Sequence, residues 1–410
     1  MNREFLPEAV LGITVGLLLA VLAVYRTTKA PTKGVQARGA VMGVLLYAIV
    51  AAQVLVTDGL TAVGLVLLLV MLCLPVAGMM LAGRTARVAG PSAQAARAIV
   101  SIGLAAAMLI AAAQTLSMLS LVDPRSLVVV VAVVTGLLVA LDGARASGRI
   151  SSLAMWLLIV PILLCLALAG LLGNVGQAVS PIIVVDGLSV ATVVALMVAF
   201  LALGTADVAL AGSHRDAEWS PVRVLAGAFA VVILLVFSML MFFGGAIIAP
   251  SVQFFVVPAN IDAVPGLAGV LLAVLTLLFA AVVAHALAGL RLVLADGDEG
   301  VASGTGDIRI FAVGVAVAAL VALVDPGLDW VMIATALVAA SVAAATSDRG
   351  ILAALAAAAV LAVVLTVTGS MNWGWWAALA IVAVAGAARV MSAIGTRPEA
   401  APKHPEEVTN

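Results

Sequence analysis

Long apolar segments recur along the chain from residue 8 to residue 394, and short polar breaks separate them. A helix that crosses a bilayer needs about 20 apolar residues, because its backbone must satisfy its own hydrogen bonds in the hydrocarbon. Cutting the sequence at the polar breaks gives thirteen candidate spans, numbered in chain order: 8–25, 38–57, 60–83, 97–121, 126–142, 151–172, 187–212, 221–249, 265–295, 308–324, 327–346, 349–368 and 372–394. The sequence therefore predicts an all-α polytopic membrane protein whose surface contacts the lipid bilayer.

Composition supports this class and excludes others. Hydrophobic residues make up 65% of the 410 positions and charged residues 10%, whereas about 25% of the residues in soluble domains are charged. The net charge is −1 and no basic cluster is dense enough for nucleic acid. The sequence shows no metal-ligand spacing, phosphate loop or nucleophile constellation, so it predicts no metal, no cofactor and no enzymatic activity.

The few charged residues orient the spans. Cytoplasmic loops are enriched in Lys and Arg, and with the N-terminus outside, 17 of the 19 basic residues fall on the cytoplasmic side. The two exceptions are Arg3 and Arg125. This distribution predicts a multi-pass plasma-membrane protein with an outer N-terminus and a cytoplasmic C-terminus. Residues 396–410, with three prolines and alternating charges, are expected to form a disordered cytoplasmic tail.

The spans can be grouped into two blocks of five within a single transmembrane domain, 1–395. The first block covers residues 38–172 and the second covers 187–346, with one extra span before them and two after. Because five is odd, the second block enters the membrane from the opposite side, which is the arrangement of inverted repeats in secondary transporters.

Several short motifs resemble those of a known family, in matching order and spacing. They are Thr57-Asp58-Gly59-Leu60, Pro75, Arg84-Thr85-Ala86-Arg87, Gln114, Leu141-Asp142-Gly143, Gly204-Thr205-Ala206, and Leu287-Ala288-Gly289 followed by Asp296. With them the chain resembles the sodium:solute symporters, most closely the bacterial acetate (monocarboxylate) permeases. The resemblance implies a LeuT-type inverted repeat and symport of a small organic solute, with a monocarboxylate as the expected substrate.

Two departures from the family concern sodium. The family breaks the first helix of its first repeat with Gly and Ser residues, whereas span 2 contains only Gly43 and is expected to be an unbroken helix. The family's sodium site uses hydroxyl residues on span 9, where this chain carries Ala280, Ala281, Ala284 and Ala286. Sodium coupling in the family's manner is therefore doubtful, which leaves sodium and protons as alternatives for the coupling ion.

Ionisable residues inside a span are costly and usually face a partner or a cavity. Asp207 follows Gly204-Thr205 in span 7, where it either binds a proton or cation beside the substrate or simply lies at the cytoplasmic interface. His285 either relays protons or packs in span 9. Arg291 is expected to extend to the cytoplasmic surface, with anion binding as the alternative.

Uncharged polar residues complete the predicted site. The resemblance assigns Gln114, Gly204 and Thr205 to substrate binding together with Asp207. Thr276, with Asp207 and His285, is assigned to ion or proton coupling, while interhelical hydrogen bonding is the alternative for both threonines.

Two functions remain open from the sequence. The first is a secondary transporter of the sodium:solute symporter type for a small organic solute. The second is a non-transporting scaffold of the same fold, which assembles with another membrane protein; the missing helix break and the alanines of span 9 favour it.

Overall fold

The computed structural model describes residues 6–25, 33–55, 62–84, 90–120, 122–171, 189–210, 220–243, 266–295, 305–368 and 373–395. Within these ranges the chain forms thirteen helices. In chain order they are α1 Leu6–Tyr25, α2 Lys33–Leu55, α3 Ala62–Arg84, α4 Pro91–Ser120, α5 Pro124–Asp142, α6 Ala144–Leu171, α7 Val190–Ala206, α8 Pro221–Phe243, α9 Leu267–Leu294, α10 Thr305–Val324, α11 Leu328–Ala344, α12 Asp348–Thr368 and α13 Trp373–Gly395.

Each predicted span coincides with one of these helices, so the all-α polytopic fold is confirmed. Seven of the described helices are long and apolar enough to cross a membrane, and five more apolar helices are shorter. Among the C-terminal helix ends that the structure describes, the largest difference from the predicted span is in α7, which ends at Ala206 rather than at residue 212. The tail at 396–410 lies outside the described residues.

Helix α9 forms the centre of the molecule. Every residue from Leu271 to Arg291 is buried, and α9 packs against α1, α2, α4, α5, α6 and α10. A helix that is apolar on all sides is stable only when it is surrounded. In contrast, α12 exposes Leu352, Val360 and Val363, as expected for a helix with one face toward lipid.

Polar contacts tie helix ends together on one side of the molecule. Arg149 pairs with Asp142 at 2.9 Å and donates to the carbonyl of Val24. Asp348 accepts hydrogen bonds from Ser92 Oγ and from the backbone N–H of Ala93. These residues lie in or beside turns that the sequence assigned to the same side, so the alternation of the spans agrees with the contacts; which side is cytoplasmic stays a prediction.

Glycines allow close helix packing at two places. A Cβ at Gly12 would lie 2.6 Å from the carbonyl oxygen of Gly269, and one at Gly16 would lie 2.5 Å from that of Ala273. These two glycines of α1 form a GxxxG motif, a spacing that the glycine-rich sequence could have produced by chance. The structure shows that it lets α1 approach the backbone of α9, as small residues do between transmembrane helices.

Candidate functional site

The backbone breaks at Asp207, directly after α7. The N–H of Asp207 still donates to the carbonyl of Leu203 at 2.9 Å, but its backbone angles (φ −69°, ψ 98°) are extended. Residues 208–210 are helical again, and the Oδ1 of Asp207 accepts from the N–H of Leu210 at 3.0 Å. Asp207 therefore ends one helical segment and caps the start of the next, a role that suits a short carboxylate.

The same side chain lies in the protein interior, 4% exposed. Its other oxygen, Oδ2, accepts a hydrogen bond from the hydroxyl of Tyr47 at 3.0 Å, and it lies 3.8 Å from Nε2 of His285. We call these three residues the Asp207 cluster. They come from α2, from the break after α7 and from α9, so the cluster connects three helices that are far apart in sequence.

The distance between Asp207 and His285 is longer than a hydrogen bond. Nε2 of His285 is buried and has no hydrogen-bond partner among the described residues. A protonated imidazole would form an ion pair with the carboxylate, whereas a neutral one leaves the carboxylate bonded to Tyr47 and Leu210. Moving one proton therefore changes the interaction that connects α7 and α9.

Gly43 makes room for the imidazole. It lies one turn before Tyr47 in α2, which is continuous as the sequence predicted. A Cβ at Gly43 would lie 2.5 Å from both Cε1 and Nε2 of His285. The ring of Tyr47 also packs edge-to-face against Phe200 of α7, with centroids 5.4 Å apart. The cluster is thus held by close packing as well as by its hydrogen bonds.

The structure brings together only some of the predicted site residues. Asp207 and His285 meet in the protein interior, whereas α7 ends at Ala206, as the cytoplasmic-interface alternative assumed; the depth of Asp207 in the membrane stays a prediction. Gly204 is buried and packs against the backbone of Pro75 in α3. The hydroxyl of Thr205 bonds the carbonyl of Ala202 at 2.5 Å, which is a local contact rather than a free ligand.

Gln114 and Thr276 lie away from the cluster. Nε2 of Gln114 donates to Asp325 in the turn after α10 at 3.5 Å, so its polar contact is with a helix end and not with the cluster. Thr276 is nine residues before His285, which places it on roughly the opposite face of α9. It packs there against Gly16 of α1, and its hydroxyl has no hydrogen-bond partner among the described residues.

Arg291 does not extend to the surface as the sequence suggested. The residue is 3% exposed, and its guanidinium carbon lies 5.7 Å from the centre of the Phe311 ring on α10. The packing of α9 explains the difference. A long side chain can reach water only from a helix face that is not fully covered, and α9 is surrounded by other helices.

A cavity of about 990 Å³ lies elsewhere, between α4, α10, α11 and α12. Its lining is apolar apart from Thr335, Thr366 and Trp330, and it includes no member of the Asp207 cluster. Ligand orientation requires convergent polar groups, so we take the cluster rather than this cavity as the candidate site.

Sequence reasoning missed Tyr47 and the role of Gly43. The available signal was a tyrosine one turn after the lone glycine in the interior of an aliphatic span. On a helix such residues lie on the same face, but nothing in the sequence indicates that this face meets His285.

The fold is similar to that of a solved transporter. No family model matches the sequence, and no curated protein matches it significantly. A structure of a Na⁺-coupled sialic acid symporter, in its substrate-bound outward-open state, superposes with a TM-score of 0.60 at 13% identity, covering 96% of this chain and 98% of that one.

A second structure, of the Eremococcus coleocola manganese transporter with a bound aromatic bis-isothiourea compound, gives a TM-score of 0.33 at 16% identity, covering 96% of this chain and 88% of that one. That TM-score is too low to indicate a shared fold. Over nearly its whole length, the chain has the fold of the sodium-coupled sialic acid symporter, as a multi-pass helical membrane protein.

Proposed function

We propose that the protein is a secondary transporter that moves a small organic solute, a monocarboxylate, together with protons. The observation that carries this proposal is the buried pair of Asp207 and His285 at the helix break. Histidine is the side chain whose charge changes most readily at physiological pH. A proton on this pair would strengthen the link between α7 and α9, and its release would weaken it.

The residues on α9 favour protons over sodium. Sodium needs several oxygen ligands, and Ala280, Ala281 and Ala284 provide no side-chain oxygen. The carbonyls of an unbroken helix are used by its own hydrogen bonds, and α2 is unbroken beside Gly43. The imidazole of His285 fills the space next to that glycine. These features support a protonated imidazole, rather than a metal ion, as the cation between α2 and α9.

Helix contacts support the two-repeat division at 38–172 and 187–346. If α2–α6 correspond to α7–α11, a contact between two helices should have a counterpart five helices later. Three sets obey this rule: α2 with α6 and α7 with α11, α4 with α11 and α9 with α6, and α3 with α7 and α8 with α2. The contacts of α2 with α3, of α5 with α6 and of α6 with α8 have no comparable counterpart among the described residues, so the symmetry is partial. Such a symmetry would let one group of helices rock against the other around the break.

The monocarboxylate substrate rests on the resemblance of Gly204-Thr205-Ala206 to the Gly-Thr-Ala-Gly of the permeases. Flux into proteoliposomes tests it. We expect pyruvate uptake driven by an inward proton gradient without sodium, and loss of that uptake in Asp207→Asn. Asp329→Asn, on the partly buried first turn of α11, is the matched control and should transport normally.

Absence of flux under proton and sodium gradients alike would contradict transport. The scaffold hypothesis would then predict a stable complex with another membrane protein after purification in mild detergent. Uptake that requires sodium, or that survives in Asp207→Asn, would contradict proton coupling while leaving transport intact.

A further inference from the structure

Arg291 is a buried cation without a counter-ion in the part of the chain that the structure describes. Its Nε and Nη1 are buried and make no hydrogen bond to any residue that the structure describes. Burying an arginine without a partner is costly in any protein interior, and within a membrane such residues pair with a charge or face a pathway. The last turn of α9 favours a cation at this position, but no described carboxylate balances its charge.

The contact with Phe311 supplies no oxygen acceptor for the guanidinium. The guanidinium carbon lies over the aromatic ring, 5.7 Å from its centre, and the ring attracts the cation without replacing the hydrogen bonds of its N–H groups. Nε and Nη1 lie on different edges of the guanidinium, because the Nε–H shares its edge with Nη2. The unbonded Nε and Nη1 can therefore each donate one charge-assisted hydrogen bond to an anion.

The charges of the buried core point to a monovalent anion. Among the buried residues that the structure describes, Asp207 is the single carboxylate, Arg291 is a permanent cation and His285 can be protonated. When His285 carries a proton, this core has one positive charge in excess. One carboxylate would neutralise it, and the anion and the proton would then cross together without net charge.

Arg291 lies near the Asp207 cluster but not within it. It is six residues after His285 on α9, about 9 Å along the helix axis. Leu290 fills the space beside Gly314 of α10, and Gly289 lies against Ser101 of α4. Arg291 therefore lies where α9 is packed tightly on both of these helices.

We propose that Arg291 is the anion-binding residue of the protein and that it takes a small monocarboxylate through a charge-assisted hydrogen bond from Nε or Nη1. The inference rests on the proposed function only where it concerns transport, because the anion can bind to Arg291 without being transported. Pyruvate is a suitable probe, and neutral detergent without added lipid excludes anionic headgroups as the source of the anion.

The test is thermal unfolding of the purified full chain at constant ionic strength, with pyruvate replacing chloride. We expect a saturable rise in Tm for the wild type. Arg291→Gln should raise the half-saturating pyruvate concentration at least about tenfold, which corresponds to the loss of one strong interaction. Arg291→Lys should raise it less. Arg389→Gln, which removes an exposed arginine of α13, should bind like the wild type.

A second measurement guards against variants that misfold. Arg291→Met removes an uncompensated buried charge and keeps the apolar stem, so the ligand-free protein should unfold at a higher temperature than the wild type. A lower Tm would show that the residue serves the fold, and it would overturn the inference.

The remaining outcomes separate the two proposals. An unchanged pyruvate response in Arg291→Gln, or none in the wild type, overturns the anion site. If the wild type transports pyruvate and Arg291→Gln does so with the same KM, the site is wrong and the transport proposal stands. If binding depends on Arg291 but no flux occurs, the site stands and the transport proposal fails.

Discussion

Helices α2 and α7 hold equivalent places at the start of the two proposed repeats, yet their backbones differ. Helix α2 is continuous from Lys33 to Leu55, and its residues from Gly39 to Ala52 are all buried. The chain at α7 leaves the helix at Asp207 and resumes it at Val208. The first helix of the first proposed repeat is therefore continuous, whereas the first helix of the second is interrupted at Asp207.

The comparison shows how polar groups reach a buried site by two routes. In α7 the break brings in a carboxylate, which caps its own break and accepts a bond from Tyr47. In α2 the absence of a side chain at Gly43 admits the imidazole from α9. The break supplies the charge, and the unbroken helix supplies the space for its partner.

The largest stability effect is expected at the break. Asp207→Ala removes the cap, worth about 0.5–2 kcal/mol, and leaves the buried hydroxyl of Tyr47 without its acceptor, at about 1–3 kcal/mol. Asp207→Asn can still cap and should lose less. Unfolding in detergent compares the two variants, and equal losses would show that capping contributes nothing.

The next effect concerns the unbroken helix. Gly43→Ala would place a methyl group against His285 and should destabilise the protein by about 1–3 kcal/mol. Gly386→Ala, at a helical position with no atom within 4 Å of the added carbon, should instead stabilise by up to about 1 kcal/mol. Thermal unfolding of both variants measures the difference, and a stabilising Gly43→Ala would refute the close approach of the imidazole.

A smaller loss is expected for Tyr47→Phe. The change removes one hydrogen bond to Asp207 and keeps the edge-to-face contact with Phe200, so it should cost about 0.5–1.5 kcal/mol. It should also alter the pH dependence of uptake, because Oδ2 of Asp207 would lose the hydrogen bond from Tyr47 and keep its contact with His285. An unchanged pH profile would exclude Tyr47 from coupling.

The smallest effect is expected on the far side of α9. Thr276→Val is nearly isosteric and removes a buried hydroxyl with no hydrogen-bond partner among the described residues, so stability should stay within about 1 kcal/mol of the wild type. Pyruvate uptake should be unchanged. A strong loss of uptake would mean that the face toward α1, and not only the face toward α2, takes part in function.

Hydrophobicity made the helices predictable, because each span had to be apolar over the thickness of a bilayer. Which side chains from different helices contact one another was harder to predict. Asp207 and His285 could be singled out as buried ionisable residues, but Gln114 could not be placed at the turn after α10 from sequence. Tyr47 was overlooked, and the GxxxG spacing of Gly12 and Gly16 could not be distinguished from chance, because the roles of these residues depend on which helix packs opposite them.

The central claim is that the Asp207 cluster couples the solute to protons. The most direct measurement is acidification inside proteoliposomes, followed with a trapped pH-sensitive dye after pyruvate is added in sodium-free buffer; acetate is less suitable because acetic acid crosses lipid unaided. We predict a pyruvate-dependent acidification in the wild type that Asp207→Asn abolishes and sodium does not change. Acidification that needs sodium, or that persists in Asp207→Asn, would contradict the claim.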